Sequence, residues 1–183
     1  MERQIQYDRG MVMEEKRIIG IANQILKETN LYSIPIEVVA IANYYGFKVY
    51  EISMDDKESG LLVVDKKTIP GFRSNRIIIV NSNHSAERKR FTIAHELGHY
   101  FLSENKEVCI AHKDSGDYSP EERDANYFAS VLLMPVEMIE GDIKKIHKVF
   151  GKMDDTIIVY KIARNFYVSR SAVQVRLKKI GVV

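Results

Sequence analysis

Apolar positions recur at helical spacing along much of the chain. Ile18, Ile21, Ala22 and Ile25 mark a helix over residues 18–26. Val38, Val39 and Ala42 mark a second, which Pro35 opens and Gly46 ends. The pattern then changes period. Residues 47–52 alternate as a strand, and 60–64 and 76–80 are β-branched and apolar, with Pro70-Gly71 as the turn between them. Strand 76–80 is assigned to the edge of the sheet, with an internal position the equal alternative. Ser85 is a good N-cap for the next helix. Residues 106–120 are polar and read as a loop. Ala125, Phe128, Ala129, Leu132 and Leu133 return to helical spacing over 121–133, and Met134-Pro135 ends that helix. Pro135 begins another. Near the C-terminus, Ile162 and Ala163, a turn at Tyr167-Val168, and Ala172, Val175 and Leu177 describe a helix-turn-helix-like element.

Two histidines interrupt the apolar run of residues 91–102, FTIAHELGHYFL. On a helix His95 and His99 lie one turn apart and project from one face. Two imidazoles so placed can share a tetrahedral zinc ion. Glu96 stands beside the first, within reach of a water at such a site. An unpartnered histidine on an apolar helix face is costly, which disfavours a purely structural role for the pair. His-Glu-x-x-His is the pattern of zinc metalloproteases. A catalytic zinc needs a third protein ligand and one open position. Glu122 can supply that ligand from the helix over 121–133. Asn126, one turn on, can accept a hydrogen bond from a ligand histidine and fix its tautomer.

The run RFTIAHELGHYFL, followed by E-x-x-A-N-x-F-A-x-x-L-L-M-P, resembles the ImmA/IrrE family of zinc metallopeptidases. IPIEVVAIANYYGFKVY, SGLLVV and RIIIVNSNHSAERKRFT extend the resemblance over about residues 20–180. It implies a gluzincin-like site on a small α+β metallopeptidase-like domain. In that domain a short β-sheet packs on the HExxH and ExxxN helices, and the helix-turn-helix-like element follows. It further implies that His95, His99 and Glu122 hold one Zn2+ per chain and that Glu96 is the catalytic base. Its members are associated with cleaving or inactivating helix-turn-helix repressors encoded nearby, so the expected partner is such a repressor of a phage or mobile element.

At 183 residues, 45% of them hydrophobic, the chain is long enough to bury one ordinary core. The expected division is a disordered 1–13, a metallopeptidase domain over 14–150, and the helical element over 151–183 packed on it. A net charge of +2 makes no general case for nucleic acid. Cys109 is the single cysteine, which excludes an internal disulfide and fits a cytoplasmic location. The start lacks the apolar core of a signal peptide, and no run approaches a membrane span.

Peptide hydrolysis is the expected reaction. A bound zinc acidifies a water and polarises the substrate carbonyl, while Glu96 takes the water's proton and passes it to the leaving amine. His112 and Tyr118 are candidates to stabilise the oxyanion, and spacing does not choose between them or exclude plain surface roles. His84 and His147 lie near no motif. Cys109 could ligate and silence a zinc, although a buried structural thiol is the commoner case. From Lys161 onward there are six Lys or Arg and no Asp or Glu. DNA binding is one reading of that tail; packing on the core with a solvated basic face is favoured. The alternative function is a DNA- or repressor-binding regulator with a structural zinc, in which Glu96 would have no use as a base.

Overall fold

In the computed structural model, residues 2–65, 67–68, 70–72, 74–104, 108–113 and 119–182 are described, with 2–11 and 108–113 as backbone only. Helix α1 (Glu2–Thr29) begins within the segment expected to be disordered. Helix α2 (Val38–Tyr44) starts three residues after Pro35, and Gly46 follows it with φ +82°. Strands β1 (Lys48–Ile52), β2 (Glu58–Val64) and β3 (Arg76–Asn81) precede the motif helix α3 (Ala86–Leu102). Then come β4 (Val108–Lys113), α4 (Pro120–Leu133), α5 (Val136–Phe150), α6 (Asp155–Phe166) and α7 (Arg170–Lys179). The architecture is α+β.

The sheet has the order β1-β3-β2-β4. β1 runs parallel to β3, and β2 is antiparallel to both β3 and β4. β3 is therefore internal and not the edge. Its residues Ile77 to Asn81 are all buried, which accounts for the unbroken apolar run. The edge beside β2 is β4, in a segment expected to be loop. Its alternating Val-Cys-Ile-Ala-His is short and lies between polar flanks, so periodicity over a longer window dilutes it.

One face of the sheet is covered by α3. Leu62 and Val64 of β2 and Ile78 and Val80 of β3 form one buried cluster with Ile93, Ala94 and Leu97. Phe128, Ala129 and Leu132 of α4 extend it on the far side of α3. α1 runs along α4. The same cluster takes in Phe166, Val168, Val173 and Leu177 from the α6–α7 element. Arg90 of α3 ties that element down: its guanidinium donates to the Tyr167 carbonyl (3.2 Å) and to Ile36 O (2.7 Å). Tyr167 adopts the left-handed conformation (φ 54°) that closes the turn between α6 and α7.

Candidate metal centre and active site

Two capping hydroxyls set the ends of the site helices. Ser85 accepts from the Arg88 N–H (3.3 Å) at the start of α3. Ser119 accepts from the Glu122 N–H (3.2 Å) at the start of α4, with Pro120 in the first turn. The second cap matters most, because it holds the backbone of the very residue whose carboxylate turns toward α3. Ser-Pro ahead of two acidic residues is a recognisable helix start, so this signal was present in the sequence.

The two helices meet where α3 carries Gly98. A methyl on Gly98 would lie 3.0 Å from Phe128 Cδ1, 3.1 Å from Ala125 Cα and 3.2 Å from Ala125 O. Glycine thus permits the close backbone approach that brings Glu122 to the histidines. Glu122 Oε1 stands 3.1 Å from His99 Nε2, and its Oε2 3.3 Å from His95 Nε2. The two Nε2 atoms are 3.0 Å apart. Ligands at ~2.0–2.1 Å on a tetrahedral zinc stand about 3.4 Å from one another. Three donor atoms already converge at nearly that spacing. The His95 Nδ1–H donates to Asn126 Oδ1 (3.1 Å), which leaves the Nε2 lone pair facing the cluster. His95, His99 and Glu122 therefore form a group that could hold a metal, and its chemistry, two imidazoles and a carboxylate, fits zinc.

Glu96 points to a different neighbour. It is fully buried and lies on the sheet side of α3. A methyl on Gly60 of β2 would come within 2.5 Å of Thr92 Cγ2 and 3.0 Å of Glu96 Oε1. Gly60 is what lets the strand pass this close to the carboxylate. Neither Gly60 nor Gly98 was singled out from the sequence; a glycine inside an apolar strand or helix is the available signal for close backbone approach.

The remaining candidates are dispersed. The His112 backbone pairs with Gly60 across β2 and β4, which sets it one strand away from Glu96; its side chain and all of Tyr118 lie outside the described residues. Cys109 pairs with Val63, and its thiol is likewise outside them. His84 Nε2 is 3.3 Å from the Asp56 carbonyl oxygen, in the connection between β1 and β2, and His147 is exposed on α5. Neither belongs to the His95–His99–Glu122 group.

The model of the peptidase M78 family, described as the IrrE N-terminal-like domain, matches residues 42–178. The chain belongs to the ImmA/IrrE family. The match begins in α2 and ends in α7, so the ImmA/IrrE unit includes the sheet, both site helices and the helix-turn-helix-like element. That family is zinc-dependent, in keeping with the donor set. No curated protein matches the chain.

The basic tail is largely engaged with the rest of the molecule. Arg176 is 2% exposed, and its Nε donates to Met134 O (3.1 Å) where α4 ends. Burial pulls the Arg176 guanidinium below its usual value, opposed by the Tyr127 ring beside it. Lys179 pairs with Glu15 of α1 at 2.5 Å. Lys161 lies 3.7 Å from the centre of the Phe150 ring, and Arg170 lies 4.9 Å from that of Tyr160.

Proposed function

We propose that this chain is a zinc-dependent endopeptidase that cuts a regulatory protein, a helix-turn-helix repressor of a phage or mobile element encoded beside it. The observation that carries the reading is a buried carboxylate, Glu96, adjoining a His95–His99–Glu122 triad that does not include it. A structural zinc needs only its ligands, whereas a hydrolytic one needs a base. Zinc at the triad supplies an acidified water and a polarised carbonyl. Glu96, held between α3 and β2, accepts the water's proton and returns it to the leaving amine. Asn126 keeps His95 in the tautomer that offers Nε2.

The substrate is taken as an extended strand along β4, which pairs with β2 alone among the described residues. Main-chain hydrogen bonds there would fix the scissile carbonyl without demanding a particular sequence. The position of His112 on that strand, paired with Gly60, supports it as an oxyanion donor. The setting proposed is the cytoplasm, supported by the single cysteine. No helix is long and apolar enough to cross a membrane among the described residues.

The DNA-binding alternative is weakened by the placement of the tail. A DNA reader presents its cations to phosphates, while Arg176 is buried and Lys179 is paired to Glu15. The deciding experiment incubates the neighbouring repressor with zinc-loaded wild type and Glu96→Gln, and follows its intact mass. Cleavage by the wild type only is expected. Undiminished cleavage by the zinc-loaded variant would refute the mechanism.

A further inference from the structure

The groove between α3 and α4 does not end at the metal triad. Phe91 and Arg88 lie one and two turns before His95 on the same face of α3. Asn126 and Ser130 lie one and two turns after Glu122 on α4. All four line an open cavity of about 750 Å³, which α7 and Glu14 and Glu15 of α1 also line. At 1.5 Å rise per residue its floor starts roughly 6 Å from the ligand residues. Asn126 is shared: its carbonyl accepts from His95, and the same residue lines the cavity.

From α7 the cavity receives Ala172 and Val175. Val175 is 70% exposed and lines the cavity from α7. The cations of the wall are already matched. Arg176 donates to a carbonyl, Lys179 faces Glu15, Arg123 Nε lies 3.5 Å from Asp124, and Arg88 donates to Ser59 Oγ (3.3 Å). The space therefore suits a neutral apolar occupant better than an anion. Successive residues of an extended peptide are ~3.3 Å apart, so a long side chain beside the scissile bond can span the gap from the triad to the cavity.

From these relationships we infer that the cavity is the specificity site of the peptidase. It takes a bulky apolar side chain (Leu, Met or Phe) flanking the scissile bond, and α7 is its wall. This rests on the endopeptidase reading proposed above. It gives the helix-turn-helix-like element a role in substrate selection in place of DNA reading. The volume exceeds one side chain and lies within the range of ordinary ligand pockets, so the adjoining backbone of the substrate enters with it.

The test is a cleavage profile. Zinc-loaded wild type, Ala172→Phe and Val175→Asp are incubated with a defined peptide mixture, and the cut sites are read by mass spectrometry. Leu, Met or Phe should be favoured over Gly at one position flanking the cut by about 10-fold or more, since each methylene in an apolar pocket discriminates by roughly 10-fold. Both variants should lose that preference while retaining one zinc per chain. Identical profiles in all three proteins would overturn the inference. Should Ala172→Phe fail to fold, Val175→Asp decides, because its side chain is exposed. If no protein cuts, the endopeptidase reading fails by itself, and binding decides the cavity. Backbone amide shifts of zinc-loaded wild type are then followed with N-acetyl-leucinamide and N-acetyl-glycinamide. Shifts at Ala172, Val175 and Asn126 with the leucine probe only, lost in Val175→Asp, uphold the assignment. Absent shifts, or equal shifts in the variant, overturn it.

Discussion

Gly98 of α3 and Ala125 of α4 are packed so closely that a methyl on the glycine would sit 3.1 Å from the alanine Cα. The neighbour is backbone and cannot rotate aside. Gly98→Ala gains about 1 kcal/mol of helix propensity and loses about 1–3 kcal/mol to overpacking. Global stability therefore changes little, whereas the distance from Glu122 to the histidines changes directly. Zinc affinity should fall at least tenfold with the thermal midpoint of the metal-free protein within a few degrees of wild type. A zinc titration giving wild-type affinity would show that the approach of α4 does not depend on this glycine.

Much of this site could be read from local spacing. His95, Glu96 and His99 occupy one stretch of helix, and Glu122 and Asn126 another, so each half carries its own periodic signal. What spacing within a helix cannot give is how two helices approach. That depends on Gly98, Ala125 and Phe128 together, residues far apart in sequence whose pairing no periodicity encodes. The sheet follows the same logic. β2 and β3 were legible as apolar runs and β1 as an alternating one, but which strand pairs with which was not. Arg76 to Asn81 proved internal because β1 pairs with it in parallel through a long connection. β4 escaped notice because one short alternating segment is a weak signal without its partner strand.

Glu122 should matter to the metal and Glu121 should not. Glu121 is exposed, whereas Glu122 is half-buried with both carboxylate oxygens toward imidazoles. Glu122→Gln is expected to weaken zinc more than Asn126→Ala, for which a loss of about 10–100-fold is typical of a residue supporting a ligand. Glu121→Gln should be neutral. Competition against a chromogenic chelator ranks the three. Equal losses at Glu121 and Glu122 would exclude Glu122 as the third ligand.

Two cations of the tail should differ in kind. Arg176→Ala removes a buried donor from the Met134 carbonyl and the packing of a long side chain, at a cost of about 1–3 kcal/mol. Lys178→Ala is exposed and should cost less than about 0.5 kcal/mol. Denaturant unfolding measures both. In Lys178→Ala, which does not line the cavity, cleavage of a short peptide should be unchanged. A salt-dependent loss of DNA binding in it would instead favour a nucleic-acid role.

Gly60 offers a way to move Glu96 without altering it. A methyl there would meet Thr92 Cγ2 at 2.5 Å, Ile79 O at 3.0 Å and Glu96 Oε1 at 3.0 Å. Thr92 Oγ1 donates to Arg88 O within α3, so the threonine has little freedom to yield. The glutamate is the longer and more flexible of the two side chains. Gly60→Ala should therefore displace the carboxylate while leaving His95, His99 and Glu122, which are not among the atoms such a methyl meets first, free to bind zinc. General-base catalysis contributes about 10²–10⁴ in rate and depends on hydrogen-bond reach, so a displaced base should lose at least tenfold in kcat at unchanged zinc content. KM should change less, because the base makes no contact that selects substrate. The variant carries its own control in the double mutant with Glu96→Gln. If Gly60 acts through Glu96, the second substitution adds nothing to the loss already caused by Glu96→Gln alone. Independent, additive losses would mean that Gly60 serves the strand and not the base.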